Sequence, residues 1–149
     1  MKQIPSAPEI AIVSGDFEQF SPQELYDYFT QVDLLTQWWP KEAEIDLKVG
    51  GQYRMSWPEN DWHLRGEYTA LEPGVHLGFT WAWDHEPSNS LRKQVDIWFQ
   101  PLFENGGRLA AHHGPFDTSE NDQSSRQGIV EGWIHFGMRL AGLKDGNSE

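Results

Sequence analysis

The spacing of apolar residues changes along the chain, and each change marks an element. Glu9 to Phe17 contains the β-branched run Ile10-Ala11-Ile12-Val13 and predicts a strand. Ser21-Pro22-Gln23-Glu24 then reads as a helix start, with Ser at the N-cap, Pro at N1 and Glu at N3. Leu25, Tyr28, Phe29 and Val32 follow at helical spacing. A second short helix over about Asp33 to Trp38 stops before Pro40.

From Glu42 the period falls to two. Ile45, Leu47 and Val49 alternate with polar residues up to a Gly50-Gly51 turn, and Tyr53, Met55 and Trp57 alternate after it. Pro58 to Asp61 makes a hairpin loop, and Trp62, Leu64, Gly66, Tyr68 and Ala70 share one face of the next strand. After a turn at Glu72-Pro73-Gly74, the inward set is Leu77, Phe79, Trp81 and Trp83. A loop over His85 to Ser90 leads to Val95, Ile97 and Phe99. Asn105-Gly106-Gly107 closes another hairpin, and Leu109 to His113 is the last strand. Phe116 to Ser125 reads as a polar loop. Ile129, Val130, Trp133, Phe136, Gly137, Leu140 and Leu143 then form one stripe of a helix over about Gln123 to Leu143. Met1 to Pro8 and Asp145 to Glu149 read as loose tails.

This order predicts an α+β fold with six to seven antiparallel strands, two short helices and a long C-terminal helix. An antiparallel sheet hides one face and wets the other. Only the last helix is long enough to cover the hidden face, and a curved sheet gripping one helix leaves room for a pocket.

Composition narrows the functions that fit. The chain has 149 residues, which suits one domain. A net charge of −12 excludes a generic nucleic-acid binder and argues against docking on an anionic membrane. The absence of Cys removes thiolate chemistry, zinc ribbons and iron–sulfur ligation. No leader or span is visible, so the expected location is cytoplasmic. There is no phosphate loop, nucleophile elbow or dinucleotide fingerprint, and no cofactor is expected. Eight tryptophans are the unusual feature: either the core is very aromatic or several of the rings line something.

Several segments carry a resemblance. Val32 to Pro40 (VDLLTQWWP) resembles the DPELLARWW-P signature of the activator-of-heat-shock-protein-90-ATPase-homologue-like family. Asp46 to Arg54 resembles that family's DLRVGGRYR segment, and Gly66-Glu67-Tyr68 through Trp81 resembles its G-x-V and L-x-F-T-W pieces. Gly106 to His113 resembles G-T-R-L-T-L-T-H, and Gly132-Trp133 resembles the GW of the last helix. The family belongs to the START-like, Bet v 1-like (SRPBCC) superfamily. The resemblance implies a single helix-grip domain over 1–149, with its core at about 9–143 and one hydrophobic cavity. It does not imply one activity. Ala111 stands where the family usually has a larger aliphatic residue.

Parity then selects candidate ligand-binding residues. Trp57, Trp62, Phe79, Trp81 and Trp83 fall on one sheet face, with Tyr53, Met55, Leu64, Ile97 and Phe99 at the same parity. Trp133, Phe136 and Leu140 face them from the helix. Trp38 and Trp39 are adjacent, so one packs into the core and the other, Trp39, lies near the rim. His113 is placed at the pocket mouth as a ligand contact or general base, and Tyr53 offers a hydroxyl. His112, His113 and His85 make a poor metal set, because adjacent strand residues point to opposite faces. No catalytic or metal residue is assigned.

The leading expectation is a binder of a small apolar or aromatic molecule. The alternatives are an enzyme on the same scaffold, with His113 or Tyr53 as acid/base, and a co-chaperone-like activator of a heat-shock-protein-90 ATPase. A homodimer and a chaperone remain open as partners.

Overall fold

A computed structural model of the chain describes residues 1–84, 92–102 and 106–145, with side chains described through residue 143. The loop read over His85 to Ser90, Asn105 of the last hairpin turn and the tail beyond Asp145 lie outside the described residues.

The elements run β1 (Lys2–Ile4), β2 (Ala11–Phe17), α1 (Pro22–Thr30), α2 (Val32–Leu35), β3 (Glu42–Ile45), β4 (Gln52–Trp57), a 3-10 turn (Pro58–Asn60), β5 (Trp62–Glu72), β6 (His76–Trp83), β7 (Lys93–Pro101), β8 (Gly107–Gly114) and α3 (Glu120–Asp145). All strand pairs are antiparallel, in the order β1-β2-β8-β7-β6-β5-β4-β3. This is the expected α+β helix grip, with α1, α2 and α3 set against one curved sheet.

Among the described residues the sheet has eight strands rather than six or seven. The extra one is β1, where the sequence predicts a tail: Lys2 to Ile4 pair with Ser14 to Ile12 along the edge of β2. Three residues carry too little pattern to read as a strand without the partner they pair with. The period-two run through Ile45, Leu47 and Val49 does not continue as a strand to Gly50: β3 ends at Ile45, and Leu47 and Val49 are exposed. Asp46 to Gly51 instead folds into a tight turn, with the Gly50 N–H donating to the Tyr68 carbonyl and Gly50 at φ +84°.

The capping box at Ser21 is formed as predicted. The Glu24 N–H donates to Ser21 Oγ at 3.1 Å, and the Ser21 N–H donates to the Glu24 carboxylate at 3.0 Å. Helix α2 ends at Leu35 rather than Trp38, so Trp38 and Trp39 lie on the following turns and their rings stack at 5.3 Å. Helix α3 begins at Glu120 rather than Gln123. Ser119 supplies the cap: its Oγ accepts from the Asp122 N–H at 3.1 Å, and its carbonyl accepts from the Gln123 N–H. The polar segment from Phe116 is thus a short turn followed by the first turns of helix.

Helix α3 has 26 residues, about 39 Å at 1.5 Å per residue. It rests on the β1–β2 side of the sheet, where Arg126 donates to the Ile10 carbonyl and to Ser6, and Gln123 donates to the Pro8 carbonyl. Helices α1 and α2 cover the other end of the inner face. There Tyr26 and Phe29 meet Phe99 edge-on at 6.0 and 6.1 Å, and Phe20, Leu25, Leu35 and Trp38 are buried. That end of the grip is filled. The end facing the N-terminal half of α3 is not.

Candidate functional site

A cavity of about 570 Å³ opens between the inner face of the sheet and the stretch of α3 from Asn121 to Phe136. Its walls are built from adjacent strands. Trp57 ends β4, Trp62 begins β5, and Trp81 and Trp83 end β6, so antiparallel pairing gathers four indoles at one end of the sheet. Trp57 stands 5.7 Å from Trp83, and Trp83 stands 5.5 Å from Trp81. Trp39 closes the side nearest the filled core, 5.9 Å from Trp81 and 5.2 Å from Trp133. Its carbonyl accepts the Trp57 indole N–H at 3.0 Å, which fixes both rings.

The helix side is unusual in being partly bare. Trp133 and Phe136 are the large lining rings of α3, and Ser125, Gly128, Ile129 and Gly132 line the stretch before them. A methyl group built on Gly128 or Gly132 meets nothing within 4 Å. Each glycine costs about 1 kcal/mol of helix propensity relative to Ala, yet here it leaves volume in the cavity.

At the floor, Trp81 on β6, Lys93 on β7 and His113 on β8 come from three neighbouring strands, with Trp81 paired to Lys93 and Val95 paired to His113. His113 is 1% exposed. It sits at the floor and not at the mouth, because β8 runs under α3 before the chain turns at Pro115. Its Nδ1 accepts the Trp133 indole N–H at 3.2 Å, so its own proton resides on Nε2. Burial, and then the nearby Lys93 charge, push its pKa down to about 3, which keeps the ring neutral. Lys93 is also buried. Its ammonium donates to the Pro115 carbonyl at 2.7 Å and to Asp122 at 3.2 Å, and it lies 4.3 Å from the centre of the Phe116 ring. Asp122 accepts the Asp117 N–H as well, so one carboxylate ties β7, the turn and the start of α3 together.

The predicted site residues divide along this geometry. Trp39, Trp57, Trp62, Trp81, Trp83, His113, Trp133 and Phe136 line the cavity. Trp62, 47% exposed, forms its mouth. Met55, Leu64, Phe79, Ile97, Phe99 and Leu140 have the expected inward parity but are packed in the closed core. Tyr53 is also in that core, and its hydroxyl is used up: it donates to the Thr80 carbonyl at 2.6 Å. Burial raises its phenol well above the ordinary range. Neither residue weighed as an acid/base is therefore tuned near neutral pH.

Sequence reasoning missed Lys93, Phe116 and Asp122. Lys93 had a visible signal, a cation at the same parity as Val95, Ile97 and Phe99. Among the described residues, no group of three or more His, Cys, Asp or Glu could hold a metal ion. No described helix is long and apolar enough to cross a membrane.

Known proteins share both the sequence and the architecture. The chain is 26% identical over 108 residues to the mouse (Mus musculus) "Activator of 90 kDa heat shock protein ATPase homolog 1"; the match takes in 72% of this chain and 30% of the mouse protein. Protein MLL2253 from Mesorhizobium loti superposes with a TM-score of 0.75 at 25% identity, over 90% of this chain and 96% of that one. An HSP90 activator from Plasmodium falciparum superposes with a TM-score of 0.73 at 21% identity, over 94% and 96% of the two chains. The sequence model of the family described as "Activator of Hsp90 ATPase homolog 1-like protein" matches residues 19–144, from just before α1 to the last turn of α3, and the chain belongs to that family.

Proposed function

We propose that this domain binds a flat apolar or aromatic molecule in the cavity between its sheet and α3. The observation that carries the reading is the cavity itself: about 570 Å³ of space walled by six indoles, beside a helix stretch of Ser125, Gly128 and Gly132 that keeps it open. A well-packed core would fill such space with side chains. Each Å² of apolar ligand surface taken from water is worth about 25 cal/mol, so burying about 200 Å² contributes about 5 kcal/mol before the cost of association.

Native mass spectrometry of the freshly purified protein, with a thermal-shift screen of polycyclic aromatic compounds, tests the proposal. An adduct or a ligand-dependent rise in Tm supports it. Unmodified mass with no shift from any compound overturns it.

The likeness to two Hsp90 activators favours a second reading, in which the outer surface docks on a chaperone of that class. Because the chain spans 30% of the mouse relative, this reading needs its own test. Stimulated ATP hydrolysis by a purified Hsp90 supports it, and an unchanged rate at saturating domain overturns it.

A further inference from the structure

Among the described residues, two donors at the cavity floor have no acceptor. Trp81 Nε1–H and His113 Nε2–H are both buried and unpaired, in rings whose centroids are 4.6 Å apart. The side chains are 5% and 1% exposed, and both line the cavity. The His113 donor is fixed as such, because Nδ1 is occupied by the Trp133 N–H. Buried N–H groups nearly always find a partner, and leaving two neighbouring ones unmade is costly. A third orphan, the Tyr68 hydroxyl, does not line the cavity.

The charge around the floor decides what kind of acceptor suits it. The Lys93 ammonium is matched by the Asp122 carboxylate and by the Pro115 carbonyl, so it offers no free positive charge to an anion. The imidazole and indole are neutral donors. A buried carboxylate or phosphate here would lack a counter-ion and pay its desolvation unaided. A neutral oxygen with two lone pairs accepts both N–H groups without that cost.

Resting on the reading of the cavity as an apolar-ligand site, we infer that its ligand is a planar aromatic ketone or quinone-like compound, whose neutral carbonyl oxygen is received by Trp81 Nε1–H and His113 Nε2–H. The ring system lies among the indoles, and the two donors set which end enters first.

Matched probes separate the two layers of the argument. Fluorene, 9-fluorenone and fluorene-9-carboxylate share one tricyclic frame and differ at one carbon. Equilibrium dialysis of each against the full chain gives three affinities. The ketone is expected to bind about tenfold tighter than the hydrocarbon, and the carboxylate more weakly than the ketone. In His113→Phe and in Trp81→Phe, each checked for folding by circular dichroism, the ketone's advantage over the hydrocarbon is expected to shrink severalfold. Two variants on different strands keep the test open should one fail to fold. Equal binding of fluorene and fluorenone overturns the carbonyl site and leaves the apolar cavity standing. A carboxylate that binds tighter than the ketone overturns the neutral acceptor, and an advantage that persists in both variants overturns the two donors. If none of the three binds, this inference falls, and the apolar-ligand reading falls with it only where the native mass and the wider screen are blank as well.

Discussion

Replacing Asp122 by Asn removes a charge while keeping the side chain's volume. The Lys93 ammonium, with its side chain 9% exposed, then faces an amide where it had a carboxylate 22% exposed at 3.2 Å. Removing one partner of a fully buried pair costs about 3–5 kcal/mol, mostly because the other charge is stranded. Two features lower that figure here: water reaches part of Asp122, and the Pro115 carbonyl still accepts from Lys93 at 2.7 Å. The expected loss is about 2–3 kcal/mol, a large share of a domain's usual stability of about 5–15 kcal/mol. For a chain of this size that is roughly 5–10 °C in Tm. Urea unfolding followed by far-ultraviolet circular dichroism measures it. The double variant Asp122→Asn/Lys93→Met should be less destabilised than the sum of the two single changes, because no charge is left alone. An Asp122→Asn protein within about 0.5 kcal/mol of the parent, together with additive single changes, would refute the view that this pair latches α3 to β7.

Other expectations follow from the same structure. His113 has a folded pKa of about 3 against an unfolded value of about 6.5. Between these values the unfolded chain holds a proton that the native state refuses. The contribution is therefore fully present above about pH 6.5 and is lost as pH falls towards 3, at up to about 1.4 kcal/mol per pH unit. Denaturation curves taken from about pH 7 down to about pH 4 should be shallower in pH for His113→Phe than for the parent; superimposable slopes would count against the burial. Gly132→Ala should stabilise by about 0.5–1 kcal/mol, since a helix gains a methyl that meets nothing, whereas Gly132→Leu should block binding of any cavity ligand found by dialysis. Gly66→Ala should cost about 1–3 kcal/mol in the same unfolding assay, because its methyl would run into the Thr80 backbone carbonyl on the next strand.

Much of this molecule was legible in its sequence because strands alternate, although a bulge between Tyr68 and Ala70 in β5 breaks the alternation there. Parity alone puts Trp57, Trp62, Trp81 and Trp83 on one face, and Trp98, between the inward Ile97 and Phe99, lies on the other, 43% exposed and stacked on His76. Parity does not say how far along the grip a residue lies. Met55, Leu64, Phe79, Ile97 and Phe99 share the face of the cavity tryptophans but sit where Tyr26, Phe29 and Trp38 fill the space. Which end is filled depends on how α1 and α2 dock, and no local pattern encodes that. The Tyr53 hydroxyl was lost to the same cause: its partner, Thr80, is 27 residues away in the chain. The place of His113 turned on where α3 begins. The Ser119 cap starts the helix early enough to carry Asp122 over Lys93, so the end of β8 is covered by helix and His113 becomes a floor.

The tryptophans have an optical consequence. From Trp57 through Trp83, Trp81 and Trp39 to Trp133, successive ring centres are 5.7, 5.5, 5.9 and 5.2 Å apart. At such spacings light absorbed by one indole hops to its neighbours before it is emitted, so the lining shares its excitation. An electron-poor molecule that touches one ring is therefore expected to quench more than that ring alone. Trp98 lies on the opposite face of the sheet, 43% exposed and stacked on His76, so a molecule in the cavity does not touch it. Fluorescence of the unlabelled protein is therefore expected to report a molecule that enters the cavity.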